Sequence, residues 1–140
     1  MEVQSSWPDL PEVAVLDLAK KPLDVRQISR SLGVVLRFAA RDILFREGDQ
    51  PNCMYILLNG EVELRRREVV IETVGPGQAL GIVSLLDNEP RTVTAEARKA
   101  CEVAAIDARK FRFAVEEVPH FAWWTMAELA HRLRMTNAAL

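Results

Sequence analysis

Cysteine and histidine are scarce in this 140-residue chain, with two of each. Cys53 and Cys101 stand far apart, so they supply neither a four-thiolate zinc or iron–sulfur site nor the disulfide framework of a small secreted domain. Two buried thiols in a cytoplasmic protein are expected instead. His120 and His131 both fall near the C-terminus, leaving the preceding residues without the histidines that a metal-dependent barrel enzyme places on its strands. No metal and no cofactor are therefore expected. No Asp, Glu or Ser forms a nucleophile or acid–base motif beside a histidine there, so no catalytic residue is assigned and the chain is read as a non-enzyme. Charge of one sign is also missing, with 18 Lys and Arg against 20 Asp and Glu and a formal charge of −2. Nothing draws such a chain toward nucleic acid or anionic lipid as a whole. No uncharged apolar stretch approaches the roughly 20 residues that span a bilayer, and the opening Met1-Glu2-Val3-Gln4 has no basic segment followed by an apolar run. A soluble protein without a membrane partner is expected.

With 49% apolar residues the chain is long enough for one globular domain and too short for two. Residues 1–33 read as a lead-in arm. Pro8, Pro11 and Pro22 break it into pieces, and Leu23, Val25, Ile28 and Leu32 then recur at roughly helical spacing between Asp24, a candidate N-cap, and Gly33, a stop. Residues 34–106 carry short apolar runs separated by Gly, Pro, Asn and Asp: Val34 to Phe38, Ile43 to Phe45, Met54 to Leu58, Glu61 to Arg65, Val69 to Val74, Thr92 to Ala97 and Cys101 to Ile106. This spacing, with period-two stretches such as Glu61 to Arg65, predicts an antiparallel sandwich or barrel with turns at Gly48, Gly60, Gly75 and Gly77. Arg65-Arg66-Arg67 reads as a solvated hairpin tip.

Residues 107–140 read as helical. Asp107 caps a helix running through Phe111, Phe113, Ala114 and Val115, and Pro119 separates it from a longer one. Along that second helix Ala122, Met126, Leu129, Leu133, Thr136 and Leu140 form a narrow apolar seam. The seam suits either a partner helix in a homodimer or the wall of its own barrel, with Phe121 and Trp124 free to make the barrel contact.

Between strands, where a barrel needs only a turn, the chain runs from Gly75 to Thr94. Glycine before a short helical turn frees backbone N–H groups for an anion, and an arginine shortly after can grip two phosphate oxygens. On residue types alone Gly81 to Thr92 reads as a phosphate cradle or as an ordinary loop exit with Arg91 in solvent.

Ile43-Leu44-Phe45-Arg46-Glu47-Gly48-Asp49, then Met54-Tyr55-Ile56-Leu57-Leu58-Asn59-Gly60-Glu61-Val62, then Gly75-Pro76-Gly77 to Thr94 resemble the cyclic-nucleotide-binding domain family, over about residues 34–140. The resemblance implies a mainly β fold with flanking helices: an eight-stranded antiparallel jelly-roll (double-stranded β-helix) barrel, two C-terminal helices and, here, the N-terminal helical arm. It also implies cAMP or cGMP as ligand. By the same resemblance Gly81 is the cassette glycine, Val83 and Ser84 match the start of its short helix, Arg91 pairs with the cyclic phosphate and Thr92 touches the same group. Arg132 to Asn137 is similar to the dimer helix of bacterial catabolite-activator proteins, which brings Thr136 and Asn137 toward the base.

One position departs from the family pattern. The cassette normally reads Gly-Glu, its carboxylate accepting the ribose 2′-hydroxyl, and Ile82 stands at the glutamate position. An unpaired buried hydroxyl costs about 1–3 kcal/mol, or one to two decades of affinity. A ligand lacking that hydroxyl, a tilted ribose, or an apolar pocket filled by the protein itself are the readings left open. The expected role is a stand-alone regulatory module that senses a cyclic nucleotide and acts on a separate, unknown effector protein; the alternative is a domain that has lost nucleotide binding and serves dimerisation or docking. As the chain ends at Leu140 soon after the long helix, it is not expected to bind DNA directly.

Overall fold

A computed structural model describes residues 25–138. Eight strands and four helices follow one another along these residues. Helix α1 (Val25–Leu32) precedes β1 (Val34–Phe38), β2 (Ile43–Phe45), β3 (Cys53–Asn59), β4 (Val62–Arg66), β5 (Val69–Val74) and β6 (Ala79–Leu80). Then come α2 (Ile82–Asp87), β7 (Thr94–Ala97), β8 (Cys101–Asp107), α3 (Ala108–Glu117) and α4 (Phe121–Ala138). The strands form two four-stranded antiparallel sheets, ordered β1-β8-β3-β6 and β2-β7-β4-β5. This is the mainly β, helix-flanked roll expected, with the short β6 added to the seven strands legible beforehand. The proline-rich start, Leu23, Asp24 and Leu140 lie outside the described residues.

Side-chain alternation explains why two sheets stack and why helices cover one of them. On β3, Tyr55 and Leu57 join Phe45, Val62, Leu64, Val74, Leu80 and Val103 in a core drawn from both sheets. Met54 and Ile56, one residue out of phase, join Ile106 with Val25 of α1, Ile82 of α2, Phe111 and Ala114 of α3 and Phe121 of α4. Successive strand residues point to opposite faces, so β3 feeds the inter-sheet core with one set and the helix-covered layer with the other. Val62 and Leu64 on β4 show the same inward alternation.

The helices follow their signals. Asp107 Oδ1 accepts the Lys110 amide at 2.8 Å and caps α3. In α1, Val25 and Ser29 form the buried face, and Arg30 donates to Glu102 of β8 at 2.6 Å. That hydrogen bond, together with one from Arg37, holds the Glu102 carboxyl below its usual range. Gly33 ends α1 where a Cβ would strike the Ala105 carbonyl; close backbone passage, more than helix stopping, explains the glycine. Phe121 meets Phe111 edge-on with ring centroids 5.8 Å apart and packs on Trp124, so both aromatics set aside for the barrel contact make it. Seam residue Leu129 packs on the helix-covered layer, whereas Met126 and Leu133 are 53% and 63% exposed.

Candidate functional site

A cavity of about 250 Å³ opens over the inner face of the sheet β2-β7-β4-β5, bounded by the cassette, here the segment from Gly81 to Val93, on one side and by α4 on another. Phe45, Leu64, Arg66, Ile71 and Glu72 line it from the second sheet. Gly81 to Ser84 and Arg91 to Val93 line it from the cassette, and Arg132, Met135 and Thr136 from α4.

Arg91 is its centre. The side chain is 4% exposed, so the residue is no solvated loop exit. Its main chain is pinned by two bonds to the turn after β2: Gly48 N–H donates to the Arg91 carbonyl and Arg91 N–H to the Asp49 carbonyl, both at 2.8 Å. Gly48 takes φ +86° to make that turn and Asp49 accepts the Arg46 amide at 2.9 Å, which gives the Glu47-Gly48-Asp49 run its structural reason. The guanidinium lies over the Phe45 ring, 4.4 Å from its centre. It donates from Nη1 to the Gly81 carbonyl at 2.7 Å and from Nη2 to the Cys53 carbonyl at 2.5 Å. Nε is buried without a partner. Among the described residues no carboxylate pairs with this cation, and burial pulls its pKa below the usual arginine value. A desolvated cation held by neutral carbonyls and a ring face is short of one interaction, a negative charge.

Gly81 is glycine for a reason the geometry makes explicit. Its φ is +73°, and a Cβ there would fall into the Arg91 guanidinium. Ile82 is 1% exposed and packs with Met54, Ile56 and Phe111 in the helix-covered layer, so its side chain anchors the cassette. Val83 is 40% exposed and borders the cavity. Ser84 is buried and its Oγ donates to the Pro90 carbonyl at 3.3 Å, closing the cassette loop on itself. Thr92 is exposed at the cavity edge. Thr136 joins the cavity from α4, whereas Asn137 is exposed and lies outside the lining.

Three contributors went unrecognised in the sequence. Phe45 sits under Arg91 as an inward residue of β2. Glu72, on β5, accepts from His131 Nε2 at 2.8 Å and from Arg132 Nη1 at 2.5 Å, and Arg132 also donates to the Ala79 carbonyl. These bonds, with the Ala79 amide donating to Glu128 at 3.1 Å, fasten α4 to the barrel beside the cavity. Burial raises the Glu128 carboxyl pKa, against the opposing Ala79 bond. Arg66 corrects the hairpin-tip expectation. Arg65 pairs on the outer face with Glu96 at 2.9 Å, Arg67 occupies the turn at φ +57°, and Arg66 lines the cavity. The period-two row Val62, Leu64, Arg66 is the signal that would have found it.

Among the described residues no group of His, Cys, Asp and Glu could hold a metal ion, and no helix is long and apolar enough to cross a membrane. Cys53 is half-buried and Cys101 buried, both as free thiols.

Comparison with known proteins agrees with this fold. The N-terminal domain of a transcriptional regulator from Streptomyces coelicolor is 30% identical, with a TM-score of 0.62 over 88% of this chain and 92% of that one. The Thermus thermophilus catabolite activator protein is 25% identical with a TM-score of 0.73, over 87% of this chain and 60% of that one. A cGMP-dependent protein kinase of Drosophila melanogaster is 29% identical over 107 residues, 74% of this chain and 10% of the kinase. The cAMP-activated global transcriptional regulator of Haemophilus influenzae is 25% identical over 72% of this chain, which covers 48% of the regulator. The chain thus spans half or less of these two curated relatives. Residues 35–117, more than half of the chain, match the cyclic nucleotide-binding domain, and the chain belongs to that family.

Proposed function

We propose that this chain is a regulatory sensor module that holds cAMP or cGMP in the cavity, with the cyclic phosphate on Arg91 and occupancy transmitted through α3 and α4. The observation that carries the reading is the buried Arg91 guanidinium, which borders a cavity and has no carboxylate partner among the described residues. Gly81 supplies the clearance that guanidinium needs, and Thr92 and Thr136 offer hydroxyls at the cavity edge. Arg132, Met135 and Thr136 make α4 part of the cavity wall, so a bound ligand touches the helix directly. Residues 34–106 act as the sensing barrel and 107–140 as lid and dimer arm, in a regulatory and non-catalytic role. Cytoplasmic action suits the two free thiols.

Because the Ile82 side chain belongs to the helix-covered layer, the ribose 2′-hydroxyl meets no cassette carboxylate. Affinity for cAMP one to two decades below that of a domain carrying the glutamate follows. Homodimerisation through α4 is supported by the exposed Met126 and Leu133, three and four residues from Leu129 along one face.

Thermal unfolding tests the site. Ligand at a hundred times its Kd adds about 2.7 kcal/mol of stability, raising the melting temperature by roughly 10 °C for a domain of this size. Arg91→Ala removes the charge that the phosphate needs, an expected loss of about 2–5 kcal/mol of binding, and at the same ligand concentration the shift shrinks below about 3 °C. The variant also melts lower without ligand, since the Gly81 and Cys53 carbonyls lose their donor. An undiminished ligand-dependent shift in Arg91→Ala would overturn the assignment.

A further inference from the structure

The cavity carries more positive charge than one cyclic phosphate neutralises. Three arginines border it, Arg66, Arg91 and Arg132, against a single carboxylate, Glu72. That carboxylate is already taken, one oxygen by His131 and the other by Arg132. Arg91 answers to one anion. Arg66 remains, the last residue of β4, in the inward row that begins with Val62 and Leu64. The pairing shift opposite it leaves Ile71 of β5 as the extra residue, so β4 keeps its alternation while Ile71 and Glu72 both border the cavity. Among the described residues Arg66 makes no ion pair and no side-chain hydrogen bond. The contrast with the outer face of the same sheet is sharp. There Arg65 has Glu63 and Glu96, and Arg98 has Glu61 and Glu63. Arginines that serve only the sheet are matched with carboxylates; the one turned toward the cavity is not.

We propose that Arg66 is a second anion subsite, and that the cavity takes a nucleotide carrying two separated phosphate charges, one on Arg91 and one on Arg66. The inference rests on the cyclic-nucleotide reading of the Arg91 site and names the ligand class within it. A cavity of about 250 Å³ holds one nucleoside moiety. The second phosphate then lies at the rim, where the half-buried Arg66 stands at the end of its strand. Two like charges sharing a partly enclosed space repel one another, and a dianion relieves both where a monoanion relieves one. Two sources share this chemistry, a cyclic dinucleotide and a nucleoside 3′,5′-bisphosphate.

Calorimetric titration of the whole chain with cAMP, cGMP, cyclic di-GMP and adenosine 3′,5′-bisphosphate, at one fixed ionic strength, tests the proposal on wild type, Arg66→Ala and Arg66→Lys. At least one of the two-phosphate ligands is expected to bind about tenfold or more tighter than cAMP and cGMP, and which one does so assigns the source. Arg66→Ala should abolish that advantage, weakening the two-phosphate ligand several-fold more than cAMP or cGMP, while Arg66→Lys keeps most of it and added salt erodes it. An unchanged melting curve for the ligand-free variants guards against misfolding. Three results overturn the proposal: no advantage for either two-phosphate ligand in wild type, an advantage that survives Arg66→Ala, or an equal loss for cAMP and cGMP in that variant. If cAMP or cGMP binds wild type and the two-phosphate ligands gain nothing, only this inference fails; if no nucleotide binds, the cyclic-nucleotide reading fails with it.

Discussion

Removing the charge of Glu72 should loosen the C-terminal half of α4 without unfolding the barrel. The Glu72 and Arg132 side chains are 7% and 13% exposed, so their 2.5 Å pair is well shielded from water. Truncating one partner of such a pair strands the other and costs about 3–5 kcal/mol, against roughly 1–2 kcal/mol for a glutamine that still accepts one bond. The loss falls on α4 because, among the described residues, the Glu72 side chain bonds only to His131 and Arg132. The start of the helix stays fixed by Phe121, fully buried against Phe111 and Trp124. An unsupported helical end of a few turns is marginal in water, so the freed segment frays. Amide hydrogen exchange is the assay. In Glu72→Ala, protection over residues 129–138 should fall by two decades or more, and in Glu72→Gln by about one. Protection of β3 and β8 should hold. A uniform fall across barrel and helix, or no change in α4, would refute the latch.

Three further outcomes follow from the same geometry. Gly81→Ala puts a Cβ into the Arg91 guanidinium at φ +73°, and should cost about 1–3 kcal/mol by chemical denaturation while abolishing the ligand-dependent melting shift; a variant that binds as wild type would sink the close-approach argument. Glu128→Gln should raise stability modestly at neutral pH, because burial raises the native carboxyl pKa and the charged form is the disfavoured one. The native state then holds that proton more tightly than the unfolded chain, so the gain is present above the raised pKa and shrinks as pH falls toward the ordinary carboxylate range; a gain that grows on acidification would reverse the sign. Leu133→Glu should shift wild-type dimers to monomers in sedimentation at tens of micromolar while leaving barrel melting unchanged, and a monomeric wild type would remove the dimer.

The roll was legible because its strands are short, apolar and bounded by turn residues, so β1, β2 and β5 begin and end where the pattern placed them. Two-residue β6 offers no period to detect, and its place beside β3 is a tertiary choice. Asp107 and Pro119 bounded the C-terminal helices because capping and proline chemistry are local. Arg91 was found through its motif, while its burial, its carbonyl partners and the Phe45 ring beneath it come from segments far apart in sequence. Long-range pairing likewise hid the role of Glu72, 60 positions from Arg132. Ile82 shows the limit of motif reading most clearly: an isoleucine at the glutamate position registered only as a missing carboxylate, and the fold uses it to bind the cassette to the helices.

The central claim is that the cavity at Arg91 binds a cyclic nucleotide, and calorimetric titration of the purified wild-type chain with cAMP and cGMP reaches it most directly. Saturable heat with one site per chain is predicted for at least one of the two, with an affinity weakened by the missing cassette carboxylate but measurable in the micromolar range or below about 1 mM. Absence of heat for both at millimolar nucleotide, from a chain that melts cooperatively, would contradict it.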